Sequence, residues 1–167
     1  ADPALVVCPK SVLPNWLAEC RRFTPDLAVL VHGGPERERR VRAIGAGDIV
    51  LTTYPVLARD VDKLGGRRWR VVVLDESQMV KNPATLAARA ARRLDTELRI
   101  CLTGTPLENH LGELWAQFDF LMPGLLGSRH EFQRHFRVPI EKGRRHEVAE
   151  QLRRRIRPFL LRRTKDQ

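Results

Sequence analysis

Two adjacent acids, Asp75 and Glu76, follow the continuously apolar run Val71-Val72-Val73-Leu74. A strand buried on both faces delivers its last residues to the carboxyl end of a parallel sheet, where open α/β sheets bind their ligands. Two neighbouring carboxylates there suit a nucleotide site: the first holds Mg²⁺ through its water shell, and the second orients and polarises an attacking water. The same pair also serves as a solvated strand cap, so alone it leaves both readings open. Leu102-Thr103-Gly104-Thr105-Pro106 follows a second apolar run and sets two hydroxyls and a flexible glycine before a helix start. That arrangement suits sensing a phosphate or a nearby carboxylate. A tight turn with a capped helix accounts for Gly104, Thr105 and Pro106 but leaves Thr103 unexplained. Pro9-Lys10-Ser11 and Thr52-Thr53-Tyr54-Pro55 also follow apolar runs. Each joins hydroxyls or a lysine to backbone amides, the set with which proteins hold nucleic-acid phosphates without reading base sequence. For both, a turn and a helix cap is the plain alternative.

The elements that must position these residues are legible in the apolar pattern. Leu5 to Cys8, Leu27 to Val31, Ile49 to Leu51, Val71 to Leu74 and Arg99 to Leu102 are short apolar runs of the kind buried on both faces of a parallel sheet. Between them, Leu13, Trp16, Leu17 and Cys20 keep helical spacing behind Ser11 as the expected N-cap, and Asn82-Pro83 opens a helix over Ala84 to Leu94. Thr105-Pro106-Leu107-Glu108 starts a helix through about Leu121, Ser128 and Glu131 have capping-box spacing, and a last helix runs from about Arg145 to Arg157. Alternation of strand and helix predicts an α/β domain around a mostly parallel sheet. The expected division is 1–122 for the α/β part and 123–167 for a helical extension.

The 167 residues hold one ordinary domain and its core, and 43% hydrophobic content excludes general disorder. No apolar window is long enough for a membrane span, so no membrane partner is expected. Cys8, Cys20 and Cys101 are odd in number and widely spaced, which favours neither a disulfide framework nor a zinc site and fits a reducing, intracellular compartment. The formal net charge is +10, with lysine only at Lys10, Lys63, Lys81, Lys142 and Lys165, so arginine dominates. Either a polyanion partner or an arginine-rich composition without functional cause accounts for it.

Taken together, Asp75-Glu76-Ser77-Gln78 with Lys81-Asn82-Pro83, Leu102 to Asn109, Glu113-Leu114-Trp115 and Pro158 to Lys165 closely resemble the Swi/Snf-type ATPases of helicase superfamily two. Val6 to Ser11 with Asn15-Trp16 is similar to that family's motif Ia, and Asp48 to Tyr54 to its motif Ib. The resemblance covers nearly the whole chain in the family's order. It implies a RecA-like parallel sheet flanked by helices and a DNA-dependent ATPase that uses ATP and Mg²⁺. Asp75 and Glu76 would be the Mg²⁺-linked and water-activating acids of motif II, with Gln78 coupling the nucleotide to the DNA side. Thr103, Gly104 and Thr105 of motif III would relay between hydrolysis and DNA grip. Pro9, Lys10, Ser11, Thr52, Thr53, Tyr54, Lys81 and Asn82 would face double-stranded DNA. Ser77 stands where the family usually has Ala or Gly.

Family members cradle the nucleotide phosphates in a Walker A loop, and these residues contain no Gly-Lys-Ser or Gly-Lys-Thr. The expectation is therefore a partial first RecA-like lobe, from motif Ia to the lobe's end, lacking the Walker A strand and belonging to a larger double-stranded-DNA translocase or remodeller. Alone it would bind no ATP or Mg²⁺ and be catalytically inactive, since positioning and charge neutralisation supply most of phosphoryl-transfer catalysis. Its partners would be duplex DNA, a second RecA-like lobe of the same parent, and a homodimer formed by strand or element exchange at an unpaired sheet edge. The competing expectation is a non-catalytic DNA-binding or scaffolding module. Its location would be the nucleoid of a bacterium or the nucleus of a eukaryote.

Overall fold

A computed structural model describes residues 1–104, 111–143 and 146–162. The chain forms two compact units, Ala1–Pro123 and Gly124–Gln167. The first is built on five strands: β1 (Ala4–Cys8), β2 (Val29–Val31), β3 (Ile49–Thr53), β4 (Arg68–Leu74) and β5 (Asp95–Cys101). Their order is β2-β3-β1-β4-β5, and every neighbouring pair is parallel. This is the parallel α/β sheet that the alternating pattern predicts.

The central strands carry the continuous apolar runs Leu5–Cys8, Ile49–Leu51 and Val71–Leu74 because both faces are covered there. On one face, Val6, Leu51 and Val73 pack with Cys20, Trp16 and Leu17 of α1 (Leu13–Phe23). On the other, Leu5, Val7, Val50, Val72 and Leu74 join a larger core. Its helices are α2 (Arg37–Arg42), α3 (Tyr54–Arg59), α4 (Val61–Gly65), α5 (Leu86–Arg92) and α6 (Leu111–Leu121). Trp69 is fully buried in that core, with its indole N–H donating to Leu64 O at 2.9 Å.

Local details differ from expectation for identifiable reasons. Ser11 is not the cap of α1: Val12 takes the N-cap position without a side-chain bond, and Pro14 in the first turn fixes the start. Asn82 does not open α5, because its Oδ1 closes a local turn by accepting from Ala84 N–H at 3.0 Å. Thr85 caps that helix instead, accepting from Ala88 N–H at 3.2 Å. β5 is an outer strand rather than one buried on both faces, with Leu98 55% exposed and Leu102, just past its end, 40% exposed.

In the second unit, Ser128 and Glu131 form the expected capping box at α7 (Arg129–Phe132). Helical backbone continues through a π-type segment, Gln133–Arg137, into α8 (Val138–Glu141). The widened turn lies where Pro139 has no N–H to offer the carbonyl four residues back. After it, α9 (His146–Ile156) buries Leu152 and Ile156. Among the described residues, no helix is long and apolar enough to cross a membrane.

Candidate nucleotide and nucleic-acid site

Register decides what meets at the carboxyl edge of the sheet. Val7 pairs with both Thr52 and Leu74, Cys8 with Thr53, and Leu74 with Cys101. Cys8, Thr53, Asp75 and Leu102 therefore stand at one level, and Pro9, Tyr54, Glu76 and Thr103 follow them off their four strands. The edge is sealed by backbone bonds: Asp75 N–H donates to Val7 O at 2.8 Å, Leu102 N–H to Leu74 O at 2.8 Å, and Ser77 N–H to Leu102 O at 2.9 Å.

The two acids sit at a break in regular structure. Glu76 has φ 50° and ψ 52°, the sole non-glycine residue in left-handed backbone among the described residues. Such a conformation costs about 1–3 kcal/mol and persists only where the surroundings hold it. Here it turns the chain from β4 into a 3₁₀ turn at Ser77–Val80, and the Glu76 N–H donates back to Asp75 Oδ1 at 2.9 Å. The other carboxylate oxygen, Asp75 Oδ2, accepts from the Trp16 indole N–H at 2.8 Å. The carbonyl of Asp75 accepts from the Tyr54 hydroxyl at 2.6 Å.

Glu76 is tied to the neighbouring strand end. Gln78 Nε2 donates to Glu76 Oε2, and Gln78 Oε1 accepts from Thr103 Oγ1 at 2.9 Å. The three side chains make one chain of hydrogen bonds across the ends of β4 and β5. Gly104 follows and is exposed, while Thr105 lies outside the described residues. Beneath this chain, the Ser77 hydroxyl donates to Gln117 Oε1 of α6 at 3.1 Å, with both residues buried. An alanine at position 77 could not make that bond.

The residues expected to face nucleic acid divide into two groups. Lys10 and Ser11 are exposed, and Pro9 and Thr53 are half-buried at the same edge. Thr52 and Tyr54 stand apart, because their side chains point inward. Thr52 is fully buried and its hydroxyl donates to His32 O at 2.9 Å; Tyr54 is 2% exposed and its hydroxyl is spent on Asp75 O. Burial is the first cause that pushes the Tyr54 hydroxyl up in pKa, so it remains a donor. Lys81 is exposed, but its ammonium pairs with Glu113 Oε1 of α6 at 2.9 Å. Asn82 is exposed with its side chain committed to the local turn.

Sequence reasoning passed over three groups. Trp16 is legible only as a packing position, since helical spacing carries no information about where an indole N–H points. Gln117 had no signal beyond its place in an otherwise apolar helix. His32, Asp60 and Arg37 form a third group: His32 Nε2 lies 2.9 Å and Arg37 Nε 2.8 Å from Asp60 Oδ2, tying the loop after β2 to the end of α3.

The parallel sheet flanked by helices, with two acids and a threonine gathered at its carboxyl edge, is a partial RecA-like fold. The SNF2-related domain family model matches residues 1–167, and the chain belongs to that family. The chain is 44% identical over 166 residues to YwqA of Bacillus subtilis (strain 168), which carries a helicase/translocase name; the match covers 98% of this chain and 18% of YwqA. It is 40% identical over 168 residues to the ISWI chromatin-remodeling complex ATPase CHR11 of Arabidopsis thaliana, covering 98% of this chain and 16% of that protein. The Sulfolobus solfataricus SWI2/SNF2 ATPase core in complex with dsDNA superposes with a TM-score of 0.89 at 45% identity, covering 99% of this chain and 34% of that one. The chain thus spans less than a fifth of the two curated relatives and about a third of the solved core.

The donor set at the edge fits Mg²⁺. Each Asp75 oxygen accepts one hydrogen bond and keeps a second lone pair, and the Glu76 carboxylate follows it in the chain. Among the described residues, no group of three or more His, Cys, Asp or Glu forms a closed cage. One or two carboxylates, with waters and substrate phosphates completing the shell, is how Mg²⁺ is usually bound.

Proposed function

We propose that this chain is part of the motor of an ATP-dependent translocase or remodeller that tracks on double-stranded DNA. The observation that carries the reading is the hydrogen-bonded chain Glu76–Gln78–Thr103 beside Asp75, which joins two strand ends that would otherwise respond separately to a ligand. In this reading Asp75 holds Mg²⁺ through its waters, and the ion would neutralise charge on the ATP phosphates. Glu76 orients the attacking water and takes its proton. Gln78 and Thr103 report the state of that carboxylate to the segment that includes Gly104 and Thr105. Lys10, Ser11, Pro9 and Thr53 line the duplex track, with Lys81 and Asn82 flanking it; a DNA phosphate would compete with Glu113 for the Lys81 ammonium. The DNA-bound Sulfolobus core at 45% identity supports duplex DNA as the partner.

The remaining machinery, including a Walker A loop and a second RecA-like lobe, would come from other parts of the parent protein. The 167 residues contain no Gly-Lys-Ser or Gly-Lys-Thr, which favours a second reading for the chain by itself: a DNA-binding module without turnover. We assign the chain to a partial first lobe with a helical extension after residue 122, to the intracellular compartment, and to self-association through exchange at the outer strand β5.

The test compares two proteins. The full-length parent should hydrolyse ATP with stimulation by duplex DNA, and Glu76→Gln should abolish it; the 167-residue chain should bind DNA without turnover. A parent lacking DNA-stimulated hydrolysis would overturn the motor assignment. Turnover by the chain alone, lost with Glu76→Gln, would overturn the division of labour. For self-association, a strictly monomeric compact species in solution scattering would overturn exchange.

A further inference from the structure

Besides the strand bond of its N–H to Val7 O, Asp75 is held from outside its own turn at two further atoms. The Trp16 indole N–H donates to its carboxylate at 2.8 Å, and the Tyr54 hydroxyl donates to its carbonyl at 2.6 Å. Trp16 lies on α1, five residues after Ser11, and Tyr54 is the first residue of α3, next to Thr53. Both donors therefore belong to elements that begin at the segments proposed above to hold DNA. Among the described residues, the Glu76 side chain is bonded to Gln78 instead.

The torsion that orients an aspartate's carboxylate plane is soft, with no sharply staggered minima. An acid that must present a fixed lone pair to a metal-bound water needs its plane fixed by other groups. At Asp75 the plane is fixed by one donor on each oxygen, the Glu76 amide on Oδ1 and the Trp16 indole on Oδ2. Trp16 is itself anchored among the residues packed on Val6, Leu51 and Val73. A shift of α1 thus moves the indole and rotates the carboxylate, and a shift of α3 draws on the Asp75 carbonyl.

We infer that Trp16 and Tyr54 are positioning residues that clamp Asp75 and link the two DNA-holding segments directly to the metal-binding carboxylate, separately from the Gln78–Thr103 chain. The inference rests on the proposed motor function. Trp16 sets the carboxylate plane, and Tyr54 sets the height of the strand end that carries it.

Two measurements test the clamp. In the 167-residue chain, the Trp16 indole N–H resonance should shift in Asp75→Asn, while that of Trp69, bonded to Leu64 O, should stay in place. A Trp16 indole resonance indifferent to Asp75→Asn overturns the inference whatever the parent's activity. In the full-length ATPase, Trp16→Phe should raise the Mg²⁺ concentration needed for half-maximal DNA-stimulated hydrolysis about tenfold or more, the usual cost of losing a bond that orients a metal ligand. Excess Mg²⁺ should restore the rate, and DNA affinity without nucleotide should equal that of wild type. Tyr54→Phe should lower the ratio of DNA-stimulated to basal rate. An unchanged Mg²⁺ requirement in Trp16→Phe, or a loss that excess Mg²⁺ does not restore, overturns the clamp. Absence of DNA-stimulated hydrolysis in the wild-type parent overturns the motor assignment instead, and the indole measurement still decides the clamp.

Discussion

Thr103 Oγ1 donates to Gln78 Oε1 at 2.9 Å, joining the end of β5 to the turn after β4 although the two residues lie 25 positions apart in sequence. Gln78 Nε2 donates onward to Glu76, so the amide is used at both ends. Thr103→Val keeps the shape and removes the donor. In the full-length protein we expect DNA-stimulated ATP hydrolysis to fall about tenfold, the scale of one lost hydrogen bond on this path. Nucleotide affinity should change less than the rate. Steady-state kinetics at saturating DNA would show this as a drop in kcat with little change in KM.

Ser77 and Gln117 make a buried pair that a family-typical alanine would break. Ser77→Ala leaves Gln117 Oε1 without that donor and should cost about 1–3 kcal/mol in denaturant unfolding. Replacing both partners, Ser77→Ala with Gln117→Leu, should recover most of the loss, because two apolar groups leave no unmet polar atom. A double variant no better than the single one would show that the pair is not what holds the turn to α6.

Lys10 is exposed at the carboxyl edge. Lys10→Ala should weaken binding of all duplex sequences alike and reduce the slope of log K against log salt by about one, as loss of one phosphate contact predicts. A salt titration with two unrelated duplexes checks both statements. Thr52→Val should leave DNA affinity unchanged, since its hydroxyl is turned inward onto His32 O.

Burial, followed by the Asp75 charge, pushes the Cys8 thiol up to about 11, and burial pushes Cys101 up to about 12 against the lowering effect of Ser77. Both thiols stay protonated at neutral pH, so alkylation at pH 7.5 should be slow in the folded chain and fast after unfolding. Because the folded state holds these protons more tightly, their contribution to stability is complete below the ordinary thiol value near 9 and is lost as pH rises toward 11 and 12. Unfolding midpoints measured between pH 8 and 11 should therefore fall, and Cys8→Ser should flatten part of that fall.

The five strands in order, the two acids at the end of one of them and family membership were legible in the 167 residues, whereas the short helices Arg37–Arg42, Tyr54–Arg59 and Val61–Gly65 were not. Continuous apolar runs mark doubly covered strands, and the Ser128 and Glu131 spacing marks a helix start, because both signals act within a few residues. The destination of side chains at the strand ends was not legible. Register between β1, β3 and β4 brings the Tyr54 hydroxyl to the Asp75 carbonyl, and the β2–β3 pairing brings Thr52 to the His32 carbonyl, so both side chains turn inward. Likewise, only tertiary packing brought the Trp16 indole to Asp75, 59 residues away, and Ser77 to Gln117, 40 residues away. A sequence determines which residues are buried through local pattern. Which donor meets which acceptor depends on distances between elements, and those exist only once the sheet has assembled.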